Sequence, residues 1–296
     1  MFVPESRSND RPARAAAAPA APAALASFAP AEPLTNTAPP LPGRATIQQR
    51  WSDIVFLHWR VSPAEVAHHL PPGTRPDIDE HGDTWVGLIP FVLSEHAFLP
   101  LPAVPGLGTF IEINVRLYSV DAHGRRGVVF RSLDAEQLPS VLAARALFGL
   151  PYQWMRGSLS RDADTLHYRS QRRTGSRPAT SIHVRVPARG DATLVDTALS
   201  RFLTARWGFH ERQLGRTIYA RNTHEPWPLV DAELLSLDDE LLAAAGFPAL
   251  AHRAPDSVLA MPLGHPGVIT RFASPQGVRG QGVRSGNAQG ASAPLT

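Results

Sequence analysis

Strand-like runs of apolar and β-branched residues, some alternating with polar positions and some continuous, fill the middle of the chain and end at turn-forming residues. They cover residues 85–93, 109–120, 127–133, 165–171, 180–186, 216–221 and 230–237. Asp121-Ala122-His123-Gly124 and Arg161-Asp162-Ala163-Asp164 read as hairpin turns between such runs. Helical spacing is rarer. Ser62, Pro63 and Glu65 form a capping-box start that Pro71-Pro72 stops. A second helix is expected over 138–148, with Gly149 as its C-terminal cap and Pro151 beyond. A third is expected over 193–207, where Leu194, Ala198, Leu199, Phe202 and Leu203 make one apolar face, and a short fourth over 238–245. Helices inserted among hairpins, rather than alternating with strands, predict an α+β protein built on an antiparallel sheet or barrel.

The ends differ from this middle. Residues 1–45 are rich in Ala and Pro with few large apolar side chains, and from residue 274 the chain turns Gly-, Ser- and Gln-rich. Neither end buries enough to offset the entropy of ordering, so both are expected to be disordered tails (1–45 and 274–296) around one domain over 46–273. Residues 11–28 are Ala-rich rather than Leu-rich, are interrupted by Pro19 and Pro22, and follow Glu5 and Asp10, which argues against an export signal. No apolar run approaches the roughly 18–20 residues that span a bilayer. A cytoplasmic protein with no membrane partner is expected. No repeat of 20–50 residues is visible.

Composition narrows the chemistry. With no cysteine, thiolate nucleophiles, disulfides and thiolate metal sites are excluded. All 29 basic residues are arginine, so the sequence holds no side-chain amine for a Schiff base. A guanidinium stays protonated and does not substitute as nucleophile. The pI near 9.9 reflects how high guanidinium groups titrate, since the net charge is only +3.

The run over 110–118, Phe-Ile-Glu-Ile-Asn-Val-Arg-Leu-Tyr, carries the most chemistry. Strand side chains alternate faces, so Glu112, Asn114, Arg116 and Tyr118 share one face at spacings of about 6.5–7 Å. Two readings stand. The row faces solvent, with Glu112 and Arg116 as a surface ion pair of little energetic worth. Or it lines a cavity, with Arg116 placed to bind a carboxylate or other oxyanion. The apolar run over 127–133 that follows suggests a sheet covered on both faces and favours the cavity.

Three segments together resemble a known family: Trp51-Ser-Asp-Ile-Val-Phe-Leu-His-Trp59, the Glu112–Tyr118 row, and Phe130-Arg-Ser-Leu-Asp-Ala135 leading into Ala144-Arg-Ala-Leu-Phe-Gly-Leu-Pro-Tyr152. The chain resembles the YqjF-like (DUF2071-type) bacterial proteins of unknown function, grouped in the acetoacetate decarboxylase-like superfamily, from Ile47 to about Leu237. That resemblance implies a closed, cone-like antiparallel β-barrel with a few flanking helices and an internal cavity. In acetoacetate decarboxylases a Gly-Arg-Glu-x-x-Gly-Phe-Pro motif is followed by two lysines, one forming the Schiff base while its neighbour lowers its pKa, an effect for which this enzyme is the standard example. Here the motif reads Ala144-Arg145-Ala-Leu-Phe-Gly149-Leu150-Pro151, and Tyr152 and Gln153 stand where the lysines would. Arg145 then matches the family arginine and Glu112 a pocket glutamate, while the lysine roles carry over to nothing.

The expected site therefore has Glu112 and Tyr152 as acid–base groups, with Asn114, Arg116, Tyr118, Arg145, Gln153 and His58 contacting the ligand. His58 and His224 each stand beside a tryptophan, and either is read first as a core or rim histidine bonded to a backbone carbonyl. Asp134 is read as a helix cap. No metal or cofactor is expected: His68-His69 are consecutive and diverge, and Gly106-Leu-Gly108 precedes a strand rather than a helix. The expectation is a small-molecule-binding or modifying protein with a cavity for a carboxylate- or carbonyl-bearing metabolite. If it is an enzyme, its chemistry is lyase-like and lysine-independent. The alternatives are a non-catalytic binding module and, more weakly, an RNA or protein adaptor through the Arg-rich hairpin from Arg156 to Arg189, where only Tyr168 interleaves an aromatic ring. A homo-oligomer is compatible with the sequence.

Overall fold

A computed structural model describes residues 28–102, 108–137 and 149–278. Its strands are β1 (Ala45–Ser52), β2 (Val55–Val61), β3 (Thr74–Pro76), β4 (Thr84–Phe98), β5 (Phe110–Asp121), β6 (Arg126–Ala135), β7 (Tyr152–Asp162) and β8 (Thr165–Arg172). They continue as β9 (Ala179–Arg185), β10 (Gly208–Gln213), β11 (Arg216–Thr223), β12 (Val230–Asp231), β13 (Glu233–Asp239), β14 (Ser257–Ala260), β15 (Val268–Ala273) and β16 (Gln276–Gly277). Three short α-helices accompany them among the described residues: α1 (Pro63–Ala67), α2 (Ala198–Thr204) and α3 (Leu241–Ala244).

The expected 138–148 helix and Arg145 lie outside the described residues. α1 has the anticipated capping-box pair, with Glu65 Oε2 accepting from the Ser62 backbone N–H at 2.8 Å and from its hydroxyl at 2.7 Å. α2 is shorter than the periodicity suggested, because a second capping box, Thr197 with Ser200, starts the helix only there and leaves Leu194 exposed. Among the described residues no helix is long and apolar enough to cross a membrane.

Strand pairing forms a ring. β1 pairs with β4, β4 with β5, β5 with β6, β6 with β10, β10 with β11, β11 with β15, and β15 with β1. Every join is antiparallel except the parallel contact of Phe209 with Val128 between β10 and β6. Two flaps extend the ring: β2, β14 and β12 from β4, and the antiparallel set β7–β8–β9–β13, attached by parallel pairing of β7 with β6. The wholly antiparallel arrangement expected from the sequence is thus modified at both joins to β6's far edge.

β5 is the hinge of the packing, buried along its whole length. Ile111, Ile113, Val115 and Leu117 point into one core with Leu57, Trp59, Tyr168 and Ile182. Phe110 and Tyr118 point into the other, with Ile54, Trp85, Phe91 and Phe209. The polar row lies on this second side, so the solvent-facing reading of Glu112 and Arg116 does not hold.

Residues 28–44, expected to belong to a disordered tail, are instead tied to the domain. Ala29 and Glu32 donate backbone bonds to the carbonyls of Ala122 and Gly124, Arg126 donates to the carbonyl of Glu32, and the Trp207 indole donates to the carbonyl of Thr35. At the other end β16 adds to β11, two residues past the expected boundary. Both attachments use backbone groups and charges, which apolar content does not register.

Candidate functional site

The ring encloses a cavity of about 110 Å³, to which every strand of the ring contributes at least one lining side chain. One water needs roughly 10–15 Å³, so the space suits several waters or a small metabolite. Glu112, Asn114 and Arg116 line it, as does Tyr152. The continuous register of β4 against β5 keeps the alternation of the row intact. A bulge in β6 between Phe130 and Leu133 lets both of those side chains face the same void, opposite Arg116 and Asn114. Gly149 turns the chain into β7 with φ +66°, and an added Cβ there would sit 2.9 Å from the Arg212 carbonyl. This corner delivers Leu150 and Tyr152 to the cavity.

At one end of the row the Tyr152 hydroxyl donates to Glu112 Oε2 at 3.0 Å. Burial pushes the Glu112 carboxyl up to about 8, helped by the nearby Asp134 charge and opposed by the Tyr152 hydrogen bond. Burial, then the neighbouring Glu112, raises the Tyr152 phenol well above its ordinary range. Near neutral pH the pair is a protonated acid beside a protonated phenol, in reach of whatever occupies the void.

The other end is cationic. Arg116 donates to the Leu203 carbonyl (3.0 Å) and the Tyr118 oxygen (3.3 Å), and Arg206 donates to the Phe202 carbonyl (2.7 Å). The last carbonyls of α2 lack helical partners, and these guanidinium groups supply them. Arg206 also pairs with Asp77, which pairs in turn with Arg126. One carboxylate thus balances two guanidinium groups. Among the described residues Arg116, only 6% exposed, has no carboxylate partner, and Nη2 of Arg206 has no hydrogen-bond partner. The result is a buried net positive charge facing a void. Asn114 Oδ1 and Asn222 Oδ1, also on cavity residues, have no partner among the described residues.

His224 lines the void with Nδ1 2.6 Å from the Glu225 carbonyl, and burial with the Arg116 charge lowers it to about 4. Its ring is therefore neutral, with Nδ1 as the donor and Nε2 as an available acceptor. Arg206 and Asn222 were not anticipated. Asp77 lies 129 residues from Arg206, and no local spacing signals that pairing.

Three expected ligand contacts are corrected. Tyr118 and His58 are held behind the cavity wall rather than on it: the Tyr118 hydroxyl donates to the Leu203 carbonyl at 2.9 Å, and His58 Nε2 stands 2.6 Å from the Tyr118 oxygen. With the phenol proton committed to Leu203, His58 acts as donor. Burial, with Arg116 and Arg206 nearby, holds its pKa well below the usual value. Gly87 makes the room, since a Cβ there would meet the His58 ring at 3.1 Å. Gln153 pairs with Asp134 one step along from Tyr152, so strand alternation turns it to the opposite face. The helix that Asp134 is expected to cap lies outside the described residues. Asp134 sits on β6 with its carboxylate held by Arg172 at 2.5 and 3.0 Å. That ion pair, together with Arg173 stacked over Trp154 at 4.7 Å, removes two cations from the Arg-rich hairpin's free surface.

Residues 48–263 match the model of the DUF2071 family, described as an uncharacterized conserved protein. The chain belongs to the DUF2071 family. Another protein similar to this DUF2071 chain is the uncharacterized protein YqjF of Bacillus subtilis (strain 168), 31% identical over 187 residues, covering 63% of this chain and 76% of that one. Among solved structures, the DUF2071 chain is similar to an acetoacetate decarboxylase-like enzyme from Sphingomonas wittichii RW1, with TM-score 0.52 and 15% identity over 80% of this chain and 94% of that one. It is also similar to acetoacetate decarboxylase from Legionella pneumophila, with TM-score 0.54 and 13% identity over 81% and 89%. At such identity the likeness establishes a shared fold. The sequence itself contains no lysine.

Proposed function

We propose that the protein binds a small metabolite bearing a carboxylate and a carbonyl inside the ring of strands, which serves as a closed barrel, and handles it by acid–base chemistry without an imine. The observation that carries this reading is Arg116: a buried guanidinium, facing a cavity, with no carboxylate among the described residues to balance it. An uncompensated buried charge is costly, and a ligand anion offsets that cost. Arg116 and Nη2 of Arg206 would hold the carboxylate, with Asn114 between the two ends of the row. The carbonyl oxygen would then point toward Glu112. Because Tyr152 donates to Oε2, the acid proton rides on Oε1, placed to be given to a carbonyl oxygen; the resulting carboxylate can then accept a proton from the adjacent carbon. The net result is enolisation, the shared first step of lyase-like chemistry on oxo acids.

Replacing Arg116 by methionine keeps the bulk and removes the charge. Binding of a small oxo acid such as acetoacetate, followed by calorimetry, should weaken about 100-fold. Affinity within threefold of the parent would sink the anion site.

A non-catalytic binding module is the second reading. It is favoured by the two positions after the Gly149-Leu150-Pro151 corner, of which one carries a phenol and the other turns away from the cavity. Exchange of the ligand's α-hydrogen for deuterium separates the two. Glu112→Gln should stop exchange while leaving binding in place if the protein is an enzyme. No exchange by the parent protein would leave the binding module.

A further inference from the structure

The polar row occupies one side of the cavity, and aromatic rings make up a large part of the remainder. Trp51 on β1, Phe272 on β15, Phe209 on β10 and Phe130 on β6 follow one another round the ring, with successive ring centroids 6.4, 6.4 and 5.8 Å apart. The arc begins beside Arg116, whose cross-strand partner is Phe130. It ends at Trp51, which stacks on Phe91 at 4.6 Å and on Trp227 at 5.8 Å.

These rings are not ordinary core. Trp51, Phe130 and Phe272 pack against the buried cluster yet are only partly buried themselves, and all three line the void. A close-packed interior covers its aromatic faces. Here each of the three rings keeps some uncovered surface and borders the same space that Arg116 faces. Aromatic side chains favour offset or edge contacts with other rings beyond simple burial of area. Directly opposed residues on paired strands lie about 5 Å apart, so an anion on Arg116 and a ring on Phe130 must be joined by a short linker.

We propose that the site takes a planar aromatic carboxylate with a short spacer, its acid group on Arg116 and its ring against the arc from Phe130 to Trp51. This rests on the anion-binding reading above and names the class of acid. An aliphatic acid of equal size would fill the same space but would lack the ring-to-ring contact geometry.

The test compares three ligands on the full chain by calorimetry: phenylpyruvate, 3-cyclohexylpyruvate and pyruvate. The first two carry the same number of heavy atoms and the same acid group, and only one has a π face. Phenylpyruvate should bind about tenfold tighter than the cyclohexyl compound, with pyruvate weakest. Phe130→Leu and Phe272→Leu should each narrow the phenyl-to-cyclohexyl ratio by about threefold, with far-UV circular dichroism verifying that each variant is folded. If phenyl and cyclohexyl compounds bind equally, or the cyclohexyl compound binds tighter, the aromatic assignment is overturned while the anion site stands. If none of the three acids binds, the anion site falls and the aromatic assignment with it.

Discussion

Asp77→Asn should destabilise the fold by about 3–5 kcal/mol, a large share of the 5–15 kcal/mol that holds a typical domain together. Asp77 is buried and accepts from both Arg126 and Arg206, and it is the acid that balances them. Asparagine keeps the shape and an acceptor oxygen but no charge, leaving two guanidinium groups in low dielectric with Arg116 close by. Truncating one side of a buried ion cluster is far more damaging than removing the whole cluster. Urea unfolding would show the change as a lower midpoint at unchanged slope. Added acetate should recover part of the loss, because Arg206 reaches the cavity and an anion there would replace the missing charge. A loss below about 1 kcal/mol would show that Asp77 does not balance this cluster.

The second large effect concerns pH. Glu112 titrates at about 8 in the folded chain, raised by burial, against about 4.3 when unfolded. Between those values the folded state holds a proton that the unfolded state has released. The group's contribution to stability is therefore full below the unfolded value and is lost as pH rises through the folded one. From pH 5 to pH 9 the parent should lose on the order of 4 kcal/mol from this residue alone. Glu112→Gln cannot ionise and should not show that loss, so it becomes the more stable protein at pH 9. Unfolding free energies of both proteins at pH 5, 7 and 9 test this, and parallel profiles would rule it out.

Much of this site could be read along the chain, for a reason specific to strands. A period of two is local, so Glu112, Asn114 and Arg116 declared a common face without knowledge of the partner strands. Gln153 shows the same rule working against a motif-based expectation: being adjacent to Tyr152 guarantees that it points elsewhere. Tyr118 obeyed the alternation but not the role, because α2, 85 residues away, ends against its hydroxyl. Arg206 gave no signal, since its meaning comes from Asp77 and from carbonyls at the end of a helix that began later than its apolar face suggested. The strands β1, β10 and β15 do not register as elements because their runs are short or mixed, and only closing the ring gives their side chains an inside. The segment over 28–44 escapes the sequence for a related reason. Entropy arguments weigh apolar area, and this stretch brings little beyond Leu34 to the core while backbone bonds and charges tie it down.

That leading segment has a bearing on any shortened version of the chain. Starting the polypeptide at Ala45, where the first strand begins, would strip Arg221 of Glu32, Arg126 of the Glu32 carbonyl and the Trp207 indole of the Thr35 carbonyl. Arg126 is the same residue that shares Asp77 with Arg206. A trimmed protein would thus retain every strand and yet have a slackened floor beneath its anion seat.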